Sequence, residues 1–122
     1  MNGELFSLLT PQPLLHLVAG EFAGNGGSDP LSSSFSTPDI ASVARTAAGT
    51  YEVTLRHTWP GVIAKVVDAT DATPDTNGIA QFVSETIATN GKFIVKYRVD
   101  GVDTNADAAV KINFILVLKN RR

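Results

Sequence analysis

The chain contains no cysteine, so disulfide staples, thiolate metal sites and thiol nucleophiles are all excluded. It has one tryptophan, one methionine and two histidines, which leaves little material for a stacking platform or a histidine-rich metal centre. Charge of either sign is sparse: 10 basic and 12 acidic side chains leave a net charge of −2. A nearly neutral chain is not built to neutralise nucleic-acid phosphate or an anionic membrane surface. Long apolar runs are missing too. The longest, Phe114-Ile115-Leu116-Val117-Leu118, falls far short of the roughly 20 residues a helix needs to cross a bilayer. Leu14 to Gly20 is apolar, but Glu4 and two prolines precede it, and we read no signal peptide there.

What the chain does have is alternation. Tyr51, Val53 and Leu55 interleave with Glu52, Thr54 and Arg56, and a period of two puts the two sets on opposite faces of a pleated sheet. The same grammar continues from residue 40 onward. It predicts strands near 40–45, 50–57, 61–68, 79–87, 91–99 and 108–118. Turn chemistry separates them: Ala47-Ala48-Gly49, Trp59-Pro60-Gly61, Pro74 to Gly78, and Asn90-Gly91, the strongest hairpin signal, with Asp100-Gly101 opening the last loop. No helical period intervenes. With 122 residues the expectation is one all-β domain, a single antiparallel β-sandwich of jelly-roll-like or small-barrel type.

Residues 1–39 differ in character. Leu5, Phe6, Leu8 and Leu9 cluster before Pro11 and Pro13, residues 14–22 read as one strand with Leu15 and Leu17 on one face, and residues 24–38 are rich in glycine, serine and proline. We therefore divide the chain into an N-terminal arm and loop, 1–38, and a sandwich domain, 39–122. Leu5, Phe6, Leu8, Leu9, Leu15 and Leu17 are the expected partner-binding residues of the arm, because exposed apolar side chains ahead of a flexible linker need a surface to cover them. The last strand carries Val110, Ile112, Phe114, Leu116 and Leu118 on one face and Ile115 and Val117 on the other. A strand apolar on both faces is covered on both. Ile94, between Lys92 and Lys96, repeats the pattern. Ile94, Ile115 and Val117 are thus the expected oligomer interface, with residues 1–20 as the alternative cover.

Chemistry-bearing patterns are weak. His57 shares the parity of Tyr51, Val53 and Leu55 and neighbours Trp59, which predicts a half-buried histidine packed on an aromatic ring. His16 lies among leucines, and neither histidine has a carboxylate or serine at a suggestive spacing. Asp103-Thr104-Asn105-Ala106-Asp107 begins like a calcium loop but places Ala108 where glycine is needed and Phe114 where the bidentate glutamate belongs. Gly24 to Gly27 lacks the lysine and the frame of a phosphate loop. Lys65, Lys92, Lys96 and Arg98 have no interleaved aromatics. We expect no catalytic residues, no metal and no cofactor. Tyr51 and Trp59 with loop aspartates form an alternative, a sugar-binding floor.

The run from Ile40 to Leu55, centred on Arg45-Thr46-Ala47-Ala48-Gly49-Thr50-Tyr51-Glu52-Val53-Thr54-Leu55, resembles a pattern of small bacteriophage virion proteins, in which an arginine-threonine turn and a Gly-x-Tyr-x-Val strand open a compact β domain. Lys92 to Tyr97 and Val110 to Phe114 resemble the same class. The resemblance covers about two thirds of the chain. It implies a capsid decoration (cement) protein, commonly trimeric, bound to a major capsid or other virion protein on the capsid exterior after assembly in the bacterial cytoplasm, with neither nucleic acid nor membrane as partner. A tail or receptor-binding appendage is the second reading.

Overall fold

A computed structural model describes residues 15–71 and 78–120. Among the described residues eight strands form two antiparallel sheets: β1 (Leu15–Ala23), β2 (Ile40–Ala47), β3 (Thr50–Leu55), β4 (Val62–Asp71), β5 (Gly78–Thr86), β6 (Lys92–Val99), β7 (Val102–Asp103) and β8 (Val110–Lys119). One sheet has the order β1-β8-β4. The other runs β2-β3-β6-β5, with β7 added to β6. The fold is a β-sandwich of three strands on five. The chain crosses between the sheets after β1, β3, β4 and β7, and only the β2–β3, β5–β6 and β6–β7 connections stay within a sheet.

Alternation sets what lies between the sheets. β3 and β6 turn Tyr51, Val53, Leu55, Phe93, Val95 and Tyr97 inward, and β8 turns in Val110, Ile112, Phe114, Leu116 and Leu118; all are buried. Phe93 is the hub. It stacks on Phe82 at 5.5 Å between ring centroids and meets Phe114 edge-on at 5.1 Å, joining the two sheets by the offset and edge geometries that aromatic pairs prefer. Lys65 takes an inward-facing register position on β4, opposite Leu116, and lays its ammonium over the Phe82 ring at 5.2 Å. A charge on an edge strand of this kind also discourages further strand pairing.

The turns carry two corrections to the expected hairpins. Asn90-Gly91 is not a two-residue turn. Residues Ile87–Asn90 form a single helical turn, α1, with Gly91 at φ +73° as its left-handed cap and Ile87 wholly buried. Asp100-Gly101, both at positive φ (+52° and +80°), instead forms a tight hairpin that joins β6 to β7 with Val99 paired to Val102, as a primed turn demands; the expected Ala47-Ala48-Gly49 turn closes β2 on β3, with Ala47 paired to Thr50 and Gly49 at φ +68°.

The strand expected over residues 14–22 is β1, an integral member of the three-stranded sheet, paired with β8 from Leu15↔Lys119 to Ala23↔Lys111. It lies within the stretch assigned to the arm. The glycine- and serine-rich segment after it is tied to the sandwich at several points. Gly24 N–H donates to Val110 O (3.0 Å), Gly26 N–H to Ala106 O (2.9 Å), Ser36 N–H to Glu21 O (3.0 Å), and Asp29 accepts the Arg45 N–H at 2.8 Å.

Candidate interaction surface

The outward-facing side chains of the three-stranded sheet follow from its register. Leu17 sits beside Val117 and Ala64, and Ala19 beside Ile115 and Val66. These two cross-strand rows are apolar throughout. Leu15 and Lys119 flank these rows on one side, and Glu21, Asn113 and Asp68 on the other, with Ala23, Lys111 and Thr70 in the row beyond. Leu17 is 62% exposed, Val66 60%, Leu15 51% and Ile115 45%. On a water-facing sheet surface these positions are ordinarily polar. Contiguous exposed apolar surface with a polar rim is the kind of surface that large interaction sites present.

The five-stranded sheet presents a different outer surface. Lys92, Lys96 and Arg98 of β6 point outward, and each is paired: Lys92 with Glu52 (3.2 Å), Lys96 with Asp103 (3.1 Å) and Arg98 with Asp103 (2.7 Å). Arg98, then Lys96, hold the Asp103 carboxyl below the usual carboxylate range. Ile94 and Ile79 also lie on this side, set singly among the charges, and single apolar residues on a surface are unexceptional.

The expected contact residues are therefore sorted by face. Leu15 and Leu17, expected in a partner-binding arm, and Ile115 and Val117, expected in an oligomer interface, come together on one surface. Ile94 lies on the opposite side of the sandwich. Leu5, Phe6, Leu8 and Leu9 fall outside the described residues. Ala64 and Val66 complete the surface, and alternation within β4 alone does not single them out: Val66 and Val67 are adjacent valines, and only the pairing with Ile115 and Phe114 tells which one faces out.

The residues considered for chemistry are accounted for structurally. β3 ends at Leu55, so His57 lies past the strand and is exposed. The histidine that packs on Trp59 is His16 of β1, stacked at 4.2 Å with planes 13° apart. Tyr51 and Trp59 are buried, which leaves no open aromatic floor for a sugar ring. The acidic loop is occupied internally. Asn105 accepts hydrogen bonds from Arg45 Nε (2.7 Å) and Gly49 N–H (3.2 Å), Asp107 accepts the Ala109 N–H (2.9 Å), and the Ala106 N–H donates to the Tyr51 hydroxyl (2.8 Å). Among the described residues no group of three or more His, Asp or Glu side chains converges on a metal position, and no helix there is long and apolar enough to cross a membrane.

Comparisons with protein-family models, with curated proteins and with solved structures return no match for this chain.

Proposed function

We propose that the protein is a non-enzymatic structural subunit of a bacteriophage particle that decorates and stabilises the outer surface of the capsid as an oligomer. The observation that supports this reading best is the difference between the two outer surfaces: one sheet offers charged, internally paired side chains to solvent, and the other offers an exposed apolar block. The resemblance of the Ile40–Leu55 hairpin and the closing strand to virion proteins supplies the particle. A multivalent subunit suits this task, because once one contact has formed the others are effectively intramolecular and each can be weak.

The test is peptide mass spectrometry of purified particles of the phage that carries the gene, followed by immunogold labelling. The expected result is stoichiometric recovery with label over the head. Label confined to the tail moves the protein to the appendage reading. Absence of its peptides from the particles removes the virion reading altogether.

A further inference from the structure

We propose that the apolar face of the three-stranded sheet is covered by the same face of a second copy, related by a two-fold axis that lies in the interface across the strands. This inference deepens the oligomer part of the reading above and rests on it. The occupant and the register both follow from the order of rows on that face. From one end to the other the rows are Leu15–Lys119, Leu17–Val117–Ala64, Ala19–Ile115–Val66, Glu21–Asn113–Asp68 and Ala23–Lys111–Thr70. The two apolar rows are thus flanked by a basic row on one side and an acidic row on the other, with Lys111 in the row beyond the acidic one.

Two copies can stack face to face with a two-fold axis in either of two main directions. An axis along the strands sets each row against itself, so Lys119 meets Lys119 of the partner subunit and the acidic rows confront one another. That arrangement is repulsive. An axis across the strands, between the two apolar rows, reverses the order. Val117 then lies over Ile115 of the partner subunit. Lys119 lies over the acidic row, with Glu21 of the partner subunit and Asp68 of the partner subunit on either side. The contact occurs twice, as an isologous interface requires, and strands of the two facing sheets run nearly aligned, as in ordinary sheet packing. Charge order therefore selects one geometry, and complementary charge of this kind fixes register and partner choice.

A head-to-tail alternative would set the apolar face against the Ile94 side of the next copy. Those two surfaces are on opposite sides of the sandwich, so the contact repeats as an open stack instead of closing into a ring. A closed oligomer uses Ile115 and Val117 without Ile94.

The experiment is sedimentation velocity on the full chain over a concentration series in about 50 mM salt, where the Debye length exceeds about 10 Å. Three proteins are compared: the native chain, Lys119→Glu, and Glu21→Lys combined with Asp68→Lys. Circular dichroism melts establish that each variant is folded. The native chain is expected at twice its 12.9 kDa mass, dissociating on dilution. Each variant alone is expected to dimerise at least about tenfold more weakly, because both contacts of position 119 with positions 21 and 68 of the partner subunit become like-charged. An equimolar mixture of the two is expected to regain native-like dimerisation, since all four rim contacts in the mixed pair are complementary. A monomer at every concentration, a trimer, variants with unchanged dimerisation, or a mixture that fails to recover would each overturn the proposal. So would a monomeric full chain that dimerises once residues 1–14 are removed, because that result assigns the face to the chain's own N-terminal segment. A dimer absent from phage particles would refute the virion reading and leave this inference standing; a monomer present on particles would do the reverse.

Discussion

Replacing Tyr51 with phenylalanine tests what holds the inter-sheet loop at 104–109. The Tyr51 ring is wholly buried, 5.8 Å from the Phe22 ring, and its hydroxyl accepts the Ala106 N–H at 2.8 Å across 55 residues of sequence. Phenylalanine keeps the ring and its packing and removes only the acceptor. The Ala106 N–H is then left inside the protein without its partner, and such an orphaned donor costs about 1–3 kcal/mol, more than the net worth of an average hydrogen bond. Taking about 2 kcal/mol, and an unfolding entropy of about 2.1 cal/mol/K per residue, the Tm should fall by roughly 8 °C. The urea midpoint should fall by about 1 M at an unchanged slope. Tyr97→Phe is the control. Its hydroxyl donates to Asp71 over a longer 3.3 Å in a part-buried setting, and its removal orphans no buried N–H, so it should cost less. Differential scanning calorimetry and urea titration of both variants decide the matter. A Tyr51→Phe protein that melts within about 2 °C of the native chain would refute the reasoning, because it would mean that the loop re-satisfies Ala106 without strain.

The same two phenols predict the alkaline limit of the fold. Burial first, and for Tyr97 also the neighbouring Asp71 carboxylate, raise both hydroxyls above the ordinary value of 10.0. A folded pKa above the unfolded one gives stability that is fully present below about pH 10 and is lost as pH rises through the folded values. Since the chain has only these two tyrosines, tyrosinate absorbance should appear late and together with loss of the β-sheet circular dichroism signal; a smooth titration at pH 10 with the sheet signal intact would contradict this. Gly24→Ala should be destabilising by about 2–3 kcal/mol, at the upper end of overpacking costs, because a Cβ there collides with the Ala106 backbone; equilibrium urea unfolding measures it, and a loss under about 0.5 kcal/mol would show that the 104–109 loop yields freely.

Strand positions were the most legible part of the chain. Alternation located β2, β3, β4, β5, β6 and β8 within a few residues, because one face of each packs against the core and the other faces out, and period two records that directly. Ile115 and Val117 stood out for the same reason: an apolar residue at an outward-parity position is a local violation of pattern. Pairing was not legible. His16 and Trp59 are 43 positions apart, and only the adjacency of β1 to the loop after β3 stacks them; the parity of His57 misled because the strand ends two residues earlier, where Leu55 N–H turns to Gly91 O and Arg56 N–H to Asp39 O. The Asn90-Gly91 reversal was visible and its form was not. Ile87 sinks into the core, and burying it draws the connection into a helical turn. Asp103 read as one more solvated loop carboxylate, and its bonds to Lys96 and Arg98 exist only through the two-residue β7 pairing.

The two surfaces also constrain how such a subunit sits on a particle. On the reading proposed above, an apolar face closed by a second copy is unavailable to the capsid, so capsid contact falls to surfaces at the rim and ends of the sandwich. The chain enters β1 at Leu15, which lies on the end row of that face beside Lys119. In the two-fold arrangement this end of each copy lies at an edge of the interface, over the acidic row of the partner. The two Leu15 ends of β1 are therefore carried at opposite ends of the dimer, one on each side of the axis. On that reading a subunit built this way presents each end of the sandwich twice at a fixed separation, and its charged outer sheets face away from the dimer centre on both sides. Avidity then depends on whether that separation matches neighbouring sites on the capsid. Charge reversal at Lys119 should weaken decoration as well as dimerisation. The loss should be steepest at low protein concentration, where the native chain is dimeric and the variant is not; decoration that weakens equally at all concentrations would instead place Lys119 in the capsid contact itself.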